Sequence, residues 1–289
     1  MRKFLFGAIA LTVAVLVWWG NHGPAVSAPS LYQLHQHDRP VATAIARIEP
    51  RQPVLAGTVT YGQTADNQPI QGYLARPAAQ VHPAPAIIVI HEWWGLNDNI
   101  EMMTRRLAGE GYTALAVDLH LGEVAQTPEE ARALIGKVQA DLDGANANIR
   151  QAYDYLQTVQ QAPKIASLGW CFGGTWSLNT ALLFPEDLDA AVIYYGGGIT
   201  TDRATLRTLQ MPIIGFFGAE DTNPPPATVR EFERVLKSLG KSVEIHLYEG
   251  AGHAFSNPSG MNYVETAAAD AWEKAIAFLA THLNTTHIH

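Results

Sequence analysis

A single α/β domain, with a mostly parallel central sheet and helices on both faces, is the fold this sequence predicts. Three observations point there. Short apolar runs such as Ala86-Ile87-Ile88-Val89-Ile90 read as strands buried on both faces. These runs alternate along the chain with longer stretches of helical period, the signature of βα units. At 289 residues with 47% apolar content, the chain can bury one substantial core.

The elements follow in order. Residues 54–61 and 70–76 alternate weakly around Gln63-Thr64-Ala65-Asp66-Asn67, which predicts an opening hairpin. Pro83 and Pro85 lead into the strand over 86–90. Residues 99–109 read as a helix, 112–117 as a strand and 128–140 as a second helix, with Pro128 at its start. A further helix over 144–159 carries Ile149, Ala152, Tyr153 and Leu156 on one face. The strand over 164–169 runs into a helix over 173–183. Buried strands are expected over 190–195, 212–217 and 243–248, with a helix over 225–239 between the last two. A helix over 262–282 closes the domain.

The N-terminus has a different character. Arg2 and Lys3 precede an almost wholly apolar run over 4–19, and Asn21-His22-Gly23-Pro24 ends it. That layout predicts an export segment over 1–28, either cut near Val26-Ser27-Ala28 or retained as a membrane tether. An exported body, periplasmic or extracellular, is then expected. Residues 29–53 hold Pro29, Pro40 and Pro50 without a clean period and read as an arm, leaving 54–289 as the domain. The formal net charge of −8 and the absence of a long basic run exclude a nucleic-acid surface. One cysteine excludes an internal disulfide framework, and no Cys/His cluster has zinc spacing. The paired histidines His35/His37 and His287/His289 supply too few ligands for a site, so neither metal nor cofactor is expected.

That single cysteine lies in Gly169-Trp170-Cys171-Phe172-Gly173-Gly174, directly after a predicted strand. A strand turning sharply into a helix strains the residue at the turn, and glycines two places to either side remove the clash. The following helix aims its amides and positive dipole end at the sulfur, which favours thiolate. The competing reading is a small buried hydrophobe. Three other predicted strands also end in reactive types: His91-Glu92-Trp93-Trp94-Gly95, Gly218-Ala219-Glu220-Asp221 and Gly250-Ala251-Gly252-His253-Ala254-Phe255. Reactive groups collect at the carboxyl ends of parallel strands. The chain order nucleophile, acid, histidine is that of α/β hydrolases.

These four motifs together resemble the dienelactone hydrolase family over roughly residues 54–284. The resemblance implies an α/β-hydrolase fold and hydrolysis of a small ester or lactone. It implies Cys171 as nucleophile, His253 as base and Asp221 as its orienting acid, with Glu220 the neighbouring alternative. Backbone amides of Phe172 and Trp93 would hold the oxyanion, and Glu92 would modulate the resting thiol. Trp94 and Trp170 are candidates for an acyl pocket, with core packing the competing reading; His91 is expected to be packed or hydrogen-bonded, and Asp118 structural. The family's two carboxylate-binding arginines do not map cleanly. Asn257 stands four residues after His253 where one would be, and Arg132 lies only near the place of the other. Two further readings stay open: a broader carboxylesterase or thioesterase, and a non-catalytic thiol sensor or binding module on the same fold.

Overall fold

The computed structural model describes residues 48–80 and 83–283. The expected export segment, most of the arm and the paired histidines lie outside these residues. Among the described residues no helix is long and apolar enough to cross a membrane.

One eight-stranded sheet organises the domain, in the order β1-β2-β4-β3-β5-β6-β7-β8. The opening hairpin is β1 (Val54–Gln63) and β2 (Pro69–Pro77), antiparallel to each other; β2 also runs antiparallel to β4. The remaining pairs are parallel, through β3 (Ala86–Ile90), β4 (Thr113–Val117), β5 (Ile165–Trp170), β6 (Ala190–Tyr194), β7 (Ile213–Gly218) and β8 (Val243–Tyr248). This is an α/β-hydrolase fold.

The central strands β3 to β7 are buried at every position because both faces are covered. Along β3, Ile88 and Ile90 pack into one core layer, while Ile87 and Val89 pack into the other. The strand over 243–248 is the exception to the expected burial. It pairs only with β7, at the sheet edge, and stays half-exposed.

The helices are α1 (Asp98–Gly109), α2 (Pro128–Ala140), α3 (Leu142–Asp154), α4 (Phe172–Leu183), α5 (Arg203–Leu206), α6 (Pro226–Ser238) and α7 (Glu265–Leu283). The starts of α1, α2, α3 and α5 follow from side-chain caps. The Thr127 hydroxyl accepts from the Glu130 amide at 3.3 Å, and Pro128 opens α2, where a missing N–H costs nothing. The Asp141 carboxylate accepts from the Gly144 amide at 2.9 Å, so α3 begins at Leu142, before the predicted 144. The helix expected through 159 changes to a π-helical turn over Tyr155–Val159. The helix expected from 262 starts at Glu265 instead. The Val264 amide donates to the Phe255 carbonyl at 2.9 Å and Asn262 Nδ2 donates to the His253 carbonyl at 3.0 Å, so this stretch braces the His253 loop. The short helix α5 has too little sequence to show a period and was not anticipated.

Candidate active site

The turn from β5 into α4 carries Cys171 at φ 55° and ψ −115°. A side-chain-bearing residue rarely holds a positive φ, and neighbouring contacts must over-determine it. The Cys171 amide donates to the Tyr194 carbonyl on β6 at 3.0 Å, and its carbonyl accepts from the Thr175 amide at 3.1 Å. Space around the turn exists only because glycines supply it. A Cβ on Gly169 would lie 2.1 Å from the Gly173 carbonyl oxygen, and one on Gly173 would lie 2.2 Å from that of Ile90. Gly174, the third glycine, lets α4 close on β6.

Cys171, His253 and Asp221 come together from three strand ends. The sulfur lies 3.2 Å from His253 Nε2, and His253 Nδ1 lies 2.9 Å from Asp221 Oδ2. A carboxylate oxygen can only accept, so Nδ1 carries the proton and Nε2 faces the sulfur. The other Asp221 oxygen accepts from the Asn223 amide at 2.7 Å, which fixes the carboxylate plane. All three side chains are buried, whereas Glu220 is exposed and makes no such contact. Burial alone would push the His253 imidazole down. The negative charges of Asp221 and Cys171, with a hydrogen bond to each, outweigh it and hold the imidazole well above its ordinary value.

Glu92 is 4% exposed, and its Oε2 accepts from Asn257 Nδ2 at 2.7 Å. Asn257 Oδ1 accepts in turn from the Ser259 amide at 2.8 Å. Asn257, a candidate substrate contact from its sequence position, is thus buried and holds Glu92. His91 is wholly buried and acts as a brace, as expected. The Leu119 amide donates to its Nε2 at 3.1 Å, so Nδ1 must carry the proton it donates to the Glu92 carbonyl at 2.6 Å. Asp118 holds a loop through the His120 amide at 2.9 Å and the Gly122 amide.

Trp94 and Trp170 are placed in the core and not on the cleft wall. Trp94 packs with Trp93, Ala131, Leu134 and Ile135. Trp170 packs on Tyr194, with ring centroids 5.5 Å apart. Arg132 is exposed on α2 and is not part of the cleft wall either. Phe172 opens α4, and Trp93 follows β3, whose end meets the elbow at Gly173.

A small cleft of about 50 Å³ opens to solvent beside Cys171 and His253. Its apolar wall is Ile135, Val138 and Leu142 from the α2–α3 turn, with Phe172 and Trp176 from α4. Its polar groups are Gln139, Thr175, Asn179 and Asn223. Apart from His253, no lysine, arginine, histidine, aspartate or glutamate is among its lining residues.

Sequence reasoning missed Tyr195. It sits at φ 37°, just past the end of β6, with its ring 5.4 Å from that of His253 in an edge-on arrangement. Burial, then the charges of Glu92 and Cys171, raise its phenol well above the usual range, so it stays a neutral O–H. Its position at a strand's carboxyl end, before Gly196-Gly197-Gly198, was the available signal. No group of three or more metal-ligating side chains occurs among the described residues.

The chain is similar to known proteins in sequence and in fold. The sequence pattern described as "Dienelactone hydrolase family" matches residues 70–283. A protein of Saccharolobus solfataricus, provisionally named a carboxymethylenebutenolidase, is 34% identical over 252 residues, covering 74% of this chain and 95% of that protein. A crystal structure of a provisionally named dienelactone hydrolase from Klebsiella pneumoniae is similar at TM-score 0.70 and 28% identity, over 79% of this chain and 99% of that one. The dienelactone hydrolase-like promiscuous phosphotriesterase P91 from metagenomic libraries shares the fold at TM-score 0.72 and 23% identity, over 80% of this chain and 99% of that one.

Proposed function

The chain belongs to the dienelactone hydrolase family and is a carboxylic ester hydrolase, and on that premise we propose that it cleaves small esters or lactones through a thioester on Cys171. One observation carries the reading. Three buried side chains from three strand ends form a hydrogen-bonded line, sulfur to imidazole at 3.2 Å and imidazole to carboxylate at 2.9 Å, at a positive-φ turn.

In the proposed cycle the Cys171 sulfur attacks the acyl carbon. The His253 imidazolium, held charged by Asp221 and the thiolate, protonates the departing alkoxide. His253, now neutral at Nε2, takes a proton from water as that water attacks the thioester. The thiolate departs, the imidazolium re-forms, and carboxylic acid and alcohol are the products. Asp221 keeps Nδ1 protonated throughout and stabilises the imidazolium. The Phe172 amide, one of the unbonded N–H groups of the first turn of α4, and the Trp93 amide hold the oxyanion, each worth roughly 3 kcal/mol. Glu92, fixed by Asn257, modulates the resting thiol. Burial of the sulfur limits its access to oxidants, which matters for an exported protein. We place the body outside the cytoplasm, with the N-terminal segment as its export signal or tether.

A thiol sensor would need neither Asp221 nor the tautomer it imposes on His253, which favours the hydrolase. Rapid mixing with p-nitrophenyl acetate tests the reading. A nitrophenolate burst, with an acetyl group on Cys171 by mass spectrometry and neither signal in Cys171→Ala, is expected. Turnover that survives Cys171→Ala would refute it.

A further inference from the structure

Resting on the reading of Cys171 as nucleophile, we propose that this site accepts neutral, apolar acyl groups and rejects acyl groups that carry a carboxylate. The family's dienelactone chemistry would require the opposite, so this chain's own cleft must decide.

The wall against which an acyl chain would lie is Ile135, Val138, Leu142, Phe172 and Trp176. Covering that wall removes apolar surface from water and is worth about 25 cal/mol per Å². The polar groups on the cleft are amides and one hydroxyl. Thr175 Oγ1 already accepts from the Gly198 amide at 2.9 Å. A Cβ placed on Gly197 would lie 2.8 Å from Asn223 Oδ1, so Asn223 packs across that glycine. Gln139 and Asn179 remain, and their amides suit a neutral carbonyl or hydroxyl, without the charge to hold a carboxylate.

Neither place where a cation was sought puts one on the cleft wall. Asn257 is buried, with its amide committed to Glu92, and Arg132 is exposed on α2 and is not among the lining residues. The fixed charges around the sulfur compound the problem. Glu92 and Asp221 are both buried carboxylates close to the reacting centre, against the single imidazolium of His253. An incoming carboxylate would lose its water and meet no bidentate donor.

Mono-p-nitrophenyl adipate and its methyl ester test the inference, because they share one acyl chain and differ by one charge. With the intact domain, kcat/KM for the methyl ester should exceed that for the free acid by at least about 100-fold, a range consistent with an uncompensated polar group. Gln139→Arg places a guanidinium at the exposed end of α2, and should shift the acid-to-ester ratio by at least about tenfold toward the acid. Equal acylation of Cys171 by both compounds, read by mass spectrometry, overturns the inference and leaves the nucleophile intact. An unshifted ratio in Gln139→Arg overturns the placing of the acyl chain along α2, and the inference with it. No Cys171 adduct from either compound removes the nucleophile, and the inference falls with it.

Discussion

Gly173→Ala should damage the elbow by forcing α4 away from β3. The added Cβ would sit 2.2 Å from the Ile90 carbonyl oxygen, 2.6 Å from that of His91 and 2.7 Å from the Ile90 carbonyl carbon. All three are backbone atoms, so no side chain can swing aside. Reaching the 3.0 Å that real Cβ contacts respect requires α4 and the end of β3 to separate by about 0.8 Å, the difference between 3.0 and 2.2. Overpacking of this kind costs about 1–3 kcal/mol, and at roughly 2–4 °C per kcal/mol for a domain this size that lowers Tm by about 2–12 °C. The same shift moves Cys171 and the Phe172 amide relative to the Trp93 segment, and a displacement near 1 Å at a reacting centre costs about 100-fold in rate. Gly136→Ala is the matched control. It adds the same methyl within α2, where nothing lies within 4 Å, and should be neutral or stabilising by up to about 1 kcal/mol. Calorimetry and the p-nitrophenyl acetate burst read both variants. A Gly173→Ala protein with the parent's Tm and burst rate would refute the close approach of α4 to β3.

Asp221→Asn keeps the side-chain shape but lets His253 take the wrong tautomer, so kcat for p-nitrophenyl acetate should fall at least about 10³-fold with the fold retained by circular dichroism. Because Asp221 and Cys171 hold the His253 imidazole well above its ordinary value against the pull of burial, the imidazolium persists at neutral pH. Iodoacetamide should therefore alkylate Cys171 rapidly down to pH 6, and His253→Ala should slow that reaction at pH 6 by at least about tenfold. Asn257→Leu removes the 2.7 Å bond to Glu92 and leaves a carboxylate oxygen without it; a loss of about 1.5–3 kcal/mol in urea titrations is expected. Burial, then His91 and Lys137, push the His120 imidazole down to about 2, while the unfolded chain binds that proton near 6.5. Stability is thus present above pH 6.5 and falls as pH drops toward 4, by up to about 1.4 kcal/mol per pH unit, and His120→Gln should flatten guanidinium midpoints over that range.

Most of the fold was legible because its signals are local. The run Ala86–Ile90 is apolar at every position since both sheet faces are covered, and that follows from the residues themselves. The Gly169 and Cys171 spacing encodes half of the elbow for the same reason, since the clash avoided at Gly169 is with Gly173, four residues on; Gly173 itself answers to the distant carbonyl of Ile90. Less legible were features set by distant partners. The exposed β8 looks like a buried strand until its edge position is known. The late start of α7 depends on Asn262 and Val264 bonding to the His253 loop.

The candidate site divides along the same line. From the sequence alone came the α/β class, the strand-end motifs and the order in which Cys171, Asp221 and His253 occur. Tertiary structure alone decided that Asn257 turns inward to Glu92, that Trp94 and Trp170 pack in the core, and that α2, α3 and α4 wall a cleft without a guanidinium. Periodicity and glycine spacing record which way a side chain faces within its own element. Which side chains share one void depends on how helices far apart in sequence cross the sheet, and no local pattern records that crossing.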